Sequence, residues 1–170
     1  MNIIKEGTLF RMVKLADIFT FGNLASGLLS IFFIINNQLL IGSILIIAAV
    51  VFDFLDGRIA RLMKTENLFG KELDSLCDMV SFGIAPAVLV FSQASSPGYI
   101  ILYVIFACAG AFRLARFNII KTKGFIGMPI TINGILFPIL YLISTPLWIV
   151  HIVMAATSYL MASSIRFRKL

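Results

Sequence analysis

The stretch DFLDGRIARLMKTENLFGKELDSLCD, residues 53–78, sets Asp53, Asp56, Asp74 and Asp78 beside some of the most apolar sequence in the chain. Upstream lies IGSILIIAAVV and downstream MVSFGIAPAVLVF, neither carrying a charge. Acids are costly at membrane depth, so those kept there face a protein interior and mark function by default. Whether the flanks are membrane spans therefore decides both the fold and the meaning of the acids.

Composition answers for the flanks. The chain has 170 residues, 60% of them hydrophobic and 13% charged, with a mean hydropathy of +1.02. Soluble domains run nearer half apolar and a quarter charged. Apolar runs long enough for a bilayer core recur throughout, and predict an all-α polytopic membrane protein with six transmembrane helices. The spans are expected at roughly 15–35, 39–62, 70–92, 98–118, 126–145 and 147–165. No stretch between them is long enough for a second domain, so residues 1–170 are expected to form one membrane domain. Residues 1–13 mix apolar and charged side chains as an interfacial amphipathic helix does. No cleaved signal peptide is expected, the first span serving as insertion signal.

Charge sets the expected orientation. The 14 lysines and arginines fall before span one, around the second-to-third and fourth-to-fifth connections, and at the C-terminal end. The other connections, NNQ, SQASSPG and STP, carry none. The positive-inside rule then places both termini in the cytoplasm, in a multi-pass protein of the cell membrane whose acids lie toward the cytoplasmic side. The net charge of +6 is accounted for by this topology, and nucleic acid is not an expected partner. Tyr99, Tyr103, Tyr141, Trp148 and His151 fall toward the outer boundary, where aromatic-belt and interfacial residues are expected. Cys77 and Cys108 make no disulfide framework. Cys77, between Asp74 and Asp78, reads as a small packing residue with metal ligation as the alternative.

On a helix, Asp53, Asp56, Gly57 and Ala60 share one narrow face with Arg61 at its flank, and Asp74 and Asp78 share a face of the next helix. Asp53 lies eight residues above Arg61, and Asp78 eight above Gly70; both are about 12 Å up their helices. Antiparallel neighbours thus bring four carboxylates to one level. Bare, they would repel one another strongly. Ion pairing with Arg58 and Arg61 leaves surplus negative charge, whereas one or two divalent cations remove it. Hard oxygen ligands favour Mg²⁺, Mn²⁺ or Ca²⁺ over zinc. Gly57 and Ala60, small residues on the acid face, permit close approach of a helix or a substrate.

These residues resemble the signature of the CDP-alcohol phosphotransferases, D-x₂-D-G-x₂-A-R-x₈-G-x₃-D-x₃-D, with every spacing met by Asp53, Asp56, Gly57, Ala60, Arg61, Gly70, Asp74 and Asp78. The resemblance implies that an alcohol attacks the lipid-side phosphate of a CDP-linked lipid and releases CMP, with Mg²⁺ or Mn²⁺, two ions being expected. It makes Asp53, Asp56 and Asp74 metal ligands, and Asp78 both ligand and general base. Gly57 and Ala60 would give the nucleotide room, and Arg61 would contact phosphate. Thr20 and Asn23, in TFGN on span one, are expected to meet the cytidine, with helix packing as the alternative. Arg113 and Arg116, in GAFRLARFN, sit where an acceptor's anionic group would lie; snorkelling is the alternative, and at least one is expected to bind. The segments FRLARFN and GMPIT resemble the phosphatidylserine synthase branch, whose acceptor is L-serine. Glycerol 3-phosphate and inositol phosphate are the rival acceptors on the same chemistry, and a homodimer is expected from the family. A divalent-cation transporter, the distant alternative, is disfavoured because spans two and three carry no charge beyond the aspartates.

Overall fold

The computed structural model describes residues 15–63, 68–94, 97–119 and 125–167; the expected interfacial helix over 1–13 lies outside them. The chain runs α1 (Leu15–Ile35), α2 (Leu39–Leu62), α3 (Leu68–Asp78), a π-helical turn (Met79–Ile84), α4 (Ala85–Ala94), a 3₁₀ turn (Pro97–Tyr99), α5 (Ile100–Ile119), α6 (Thr131–Leu142) and α7 (Leu147–Ala162). Two two-residue strands, β1 (Phe125–Ile126) and β2 (Arg166–Phe167), pair antiparallel. They are the exception to the all-α expectation.

Among the described residues, four helical rods are long and apolar enough to cross a bilayer: Asp17–Ile35, Leu39–Leu62, Leu68–Gln93 and Pro97–Ile119. The helices α6 and α7, of 12 and 16 residues, are shorter, about 18 and 24 Å against a hydrocarbon core of about 30 Å. Large apolar side chains cover the outside, among them Ile18, Phe32, Ile44, Val104, Trp148 and Ile152. A soluble protein does not expose so much apolar surface, and a bilayer absorbs it. The chain is a membrane-embedded helical protein.

The α1–α2 hairpin closes through NNQ with Asn37 in the left-handed region, φ 60°. Asn37 N donates to Ile34 O and Gln38 N to Phe33 O, both at 2.9 Å, which satisfies the last carbonyls of α1. Ser144, φ 54°, does the same between α6 and α7. Small residues then let the helices approach. A side chain at Gly42 would run into Ile34, and a Cβ at Gly22 would lie 3.0 Å from the Phe52 ring.

The third rod is not one regular helix. Ala85 N donates to Val80 O, five residues back, and Pro86 follows directly. A proline has no N–H for the carbonyl four residues earlier, and its ring crowds that carbonyl. The wider π-turn absorbs the misfit just after Asp78. Phe82 on this turn is fully buried, with Phe106, Ile130, Phe137 and Met154 in the same core. Phe106 and Phe137 meet edge-on at 5.4 Å, a favoured aromatic geometry.

Two details differ from expectation. The fifth helix starts at Thr131, not near residue 126, because Gly127 takes a positive φ of 76° and Pro129 holds the preceding residue out of the helical region. His151 is buried at 6% exposure, not interfacial. Its Nε2 lies 2.8 Å from the Tyr103 hydroxyl, and its ring stacks on Tyr99 at 3.8 Å. The reason is that α7 packs along α5, whose first turn carries Tyr103 and whose preceding 3₁₀ turn carries Tyr99.

Candidate active site

On α2, Asp53 and Asp56 are three residues apart and project together; Asp74 and Asp78 do the same at four on α3. One ligand oxygen from each of Asp53, Asp56 and Asp74 can be chosen so that all lie within 4.8 Å of one another. Oxygens bound to one cation at about 2.1–2.5 Å cannot stand more than about 4–5 Å apart, so the trio is compact enough for one ion. Asp56 Oδ2 and Asp74 Oδ1 are buried without hydrogen-bond partners. Buried polar atoms are nearly always partnered, and two unpartnered carboxylate oxygens in this cluster fit a hard divalent cation. Cys77 is buried and free and is not part of this group, so packing is the role its position supports.

Asp78 stands outside the trio. Its Oδ1 accepts a hydrogen bond from Asn23 Nδ2 at 3.0 Å, and its side chain also meets Asp53. Thr20, expected like Asn23 to face the cytidine, meets the Asp56 side chain. Both α1 residues are buried, at 4% and 0% exposure. The structure therefore turns them onto the carboxylates.

Around the acids the expected basic residues separate. Arg113 is buried on α5, with Asp78, Arg116, Asp53 and Asp74 as its charged neighbours; its Nε has no partner, and its guanidinium lies 5.3 Å from the Phe117 ring. Arg116, one turn on, is a like-charged neighbour of Arg113 with partners of its own. Its Nη1 donates to Ala162 O at 3.1 Å and its Nη2 to Met161 O at 3.0 Å, which caps the end of α7. Gly127 lets the return loop cross this guanidinium, because a side chain there would collide with Nη2. Arg61 is exposed on the last turn of α2 and donates from Nε to Gly57 O at 2.8 Å. Beside it, Gly57 and Ala60 keep an open face: a Cβ at Gly57 would meet only Arg61 Nη2, at 3.8 Å.

Three contributors were not singled out in the sequence. Thr131, at the start of α6, meets the Asp53 side chain. Asp17 is buried with its charge facing Asp56. Asp17, Thr20 and Asn23 recur every three residues on α1, a polar stripe that was the available signal. Asn118 ties α5 to α3, donating from Nδ2 to Glu72 Oε2 and to Ser75 Oγ, both at 3.0 Å; nearby, Lys71 Nζ donates to Phe117 O at 3.2 Å.

An α-helical membrane protein with a carboxylate trio of this kind, flanked by a buried arginine and an open glycine face, defines a class of membrane proteins equipped to hold a divalent cation. Residues 13–165 match the CDP-alcohol phosphatidyltransferase family, and the chain belongs to it. It is 43% identical over 126 residues to a CDP-diacylglycerol–serine O-phosphatidyltransferase of Methanocaldococcus jannaschii, covering 74% of this chain and 59% of that protein. It is 38% identical to an archaetidylserine synthase of Methanothermobacter thermautotrophicus, covering 91% and 70%. A CDP-diacylglycerol–serine O-phosphatidyltransferase of Bacillus subtilis is 36% identical, covering 87% and 86%.

Proposed function

We propose that the chain transfers the phosphatidyl group of a CDP-linked lipid to the hydroxyl of L-serine, releasing CMP, in phospholipid biosynthesis. The observation that carries the reading is the trio of Asp53, Asp56 and Asp74 with its unpartnered buried oxygens, in a chain whose relatives bear serine-transferase names. These three aspartates hold a divalent cation, Mg²⁺ or Mn²⁺, and a second ion would draw on Asp78. When bound, the metal neutralises the diphosphate and the charge that develops on the entering and leaving oxygens.

The protein's own groups do the rest. Asp78 takes the proton of the serine hydroxyl as its oxygen bonds to the lipid-side phosphorus; the bond from that phosphorus to the bridging oxygen breaks, and CMP departs with the electron pair. Gly57 and Ala60 leave room for the nucleotide, and Arg61 contacts phosphate at the open end. Arg113 faces the serine carboxylate, with a planar fork suited to a bidentate grip. Arg116 supports the site from its seat on α7. Residues 1–170 act as one domain with six spans, and the motif end, with both termini, faces the cytoplasm, where a soluble acceptor arrives. A homodimer follows from the family.

The test is CMP release by purified protein in Mg²⁺ or Mn²⁺ with CDP-diacylglycerol or its archaeol counterpart, offered L-serine, glycerol 3-phosphate or inositol phosphate. Release with serine alone is expected. Release with another acceptor overturns the serine assignment and keeps the chemistry. Failure of CDP-lipid to bind removes the transferase reading.

A further inference from the structure

Asn23 is fully buried, and its side chain reaches Asp78 Oδ1 from Nδ2 at 3.0 Å across 55 residues of sequence. The contact is braced. Ser81, on the π-turn three residues beyond Asp78, donates from Oγ to the Asn23 carbonyl at 3.1 Å. One turn along α1, Gly27 makes that approach possible: a side chain there would collide with the Ser81 hydroxyl and bring Cβ to 2.9 Å from Ser81 Cα. Asn23 thus grips successive turns of one element, one through its side chain and the next through its backbone.

The chemistry of the amide gives the grip a direction. Nδ2 donates and cannot accept, so Asp78 Oδ1 is held as an acceptor. A carboxylate free about its side-chain torsions would sample several orientations, whereas a base acts only when one oxygen is held within hydrogen-bond reach of the proton it takes. We propose that Asn23 is a positioning residue that fixes the Asp78 carboxylate by holding its Oδ1. This rests on Asp78 being the base in the transferase reading.

The test compares wild type with Asn23→Leu, which keeps the side-chain shape and removes the donor, with Asn23→Ala as a second variant should the first not fold. Ser81→Ala serves as the comparator that loosens the brace. Expected for Asn23→Leu is a kcat lower by about 10- to 100-fold, a loss of the size seen when outer supports of a reacting group are removed. KM for serine and for CDP-lipid, CMP affinity by calorimetry, and Mn²⁺ affinity by electron paramagnetic resonance stay within about threefold. An unchanged kcat overturns the proposal. So does a tenfold loss of CMP affinity, which would put Asn23 on the nucleotide, or a Mn²⁺ affinity that falls in step with kcat, which would make it a support of the metal. If wild type uses another alcohol in place of serine, the acceptor assignment fails by itself, and the same comparison is read with that alcohol.

Discussion

A Cβ added at Gly57 would come no closer than 3.8 Å to Arg61 Nη2, whereas at Gly42 and Gly134 it would run into neighbouring side chains. Packing thus explains the latter two glycines and leaves Gly57 without a structural reason, as expected of a position that makes room for substrate. Leucine is a better helix former than glycine by nearly 1 kcal/mol, so Gly57→Leu should leave the melting temperature unchanged or raised. Its KM for CDP-lipid should rise at least about tenfold, because the new side chain fills the nucleotide's approach. A variant that melts early with KM intact would return Gly57 to packing. Asp78→Asn tests the proton acceptor itself. Loss of a general base costs about 10²- to 10⁴-fold in turnover, while CMP still binds; full activity would remove Asp78 from that role. These residues were legible in sequence because chemistry imposes their type and spacing. Thr131 and Asp17 were not. A threonine or an aspartate near a helix start reads as an ordinary cap, and only the packing of α1 and α6 against α2 turns each toward an acid.

Elements explain why two arginines one turn apart do different work. Arg113 and Arg116 leave α5 at successive levels, and α7 ends beside the second, so its last carbonyls take both terminal nitrogens of Arg116. Hydrogen bonds to a charged group contribute about 1.5–3 kcal/mol each. Arg116→Ala should therefore lower the melting temperature by on the order of 10 °C, measured by scanning fluorimetry in detergent, with KM for serine changed little in the protein that remains folded. Arg113→Lys keeps the charge that faces the acids and loses the planar fork. The melting temperature should hold while KM for serine rises about tenfold. If the two variants exchange these outcomes, the assignments exchange with them. In sequence both arginines read alike, as basic residues at the foot of a span. Helix ends gave a similar lesson: Pro129 and Pro86 were visible, yet what they produce differs. Pro129 follows Gly127 at positive φ and delays α6 to Thr131. Pro86 sits inside a continuous rod and is absorbed by a π-turn, because neighbouring helices hold that rod on both sides.

For the whole molecule the question is which end faces the cell interior. The carboxylate trio, the end of α7 and the β1–β2 pair gather at one end, and the aromatic and imidazole cluster of Tyr99, Tyr103 and His151 sits about 20 Å away along α5. The six-span reading came from hydropathy and the orientation from basic residues, and both are global sums that survive errors of a few residues at any boundary. The shortness of α6 and α7 was hidden from such sums, because Gly127 and the 144–146 turn remove residues from the helix without making them polar. Two short helices still cross if their non-helical ends remain inside the protein, as Met128 and Ile130 do, at 7% and 0% exposure; irregular backbone at membrane depth is tolerated when it is covered. Single cysteines test the arrangement. In a Cys108→Ser background, which removes the exposed native thiol and leaves the buried Cys77, Gln38→Cys and Ser144→Cys place thiols in exposed turns at one end, and Met63→Cys places one at the other. A membrane-impermeant maleimide added to intact cells should label the first two, and Met63→Cys only after permeabilisation. Labelling of Gln38→Cys without Ser144→Cys would break the six-span count by making the α6–α7 turn fail to reach the outer face. The reverse pattern, Met63→Cys labelled from outside, would turn the molecule over and put the aspartates where no cytoplasmic serine could reach them.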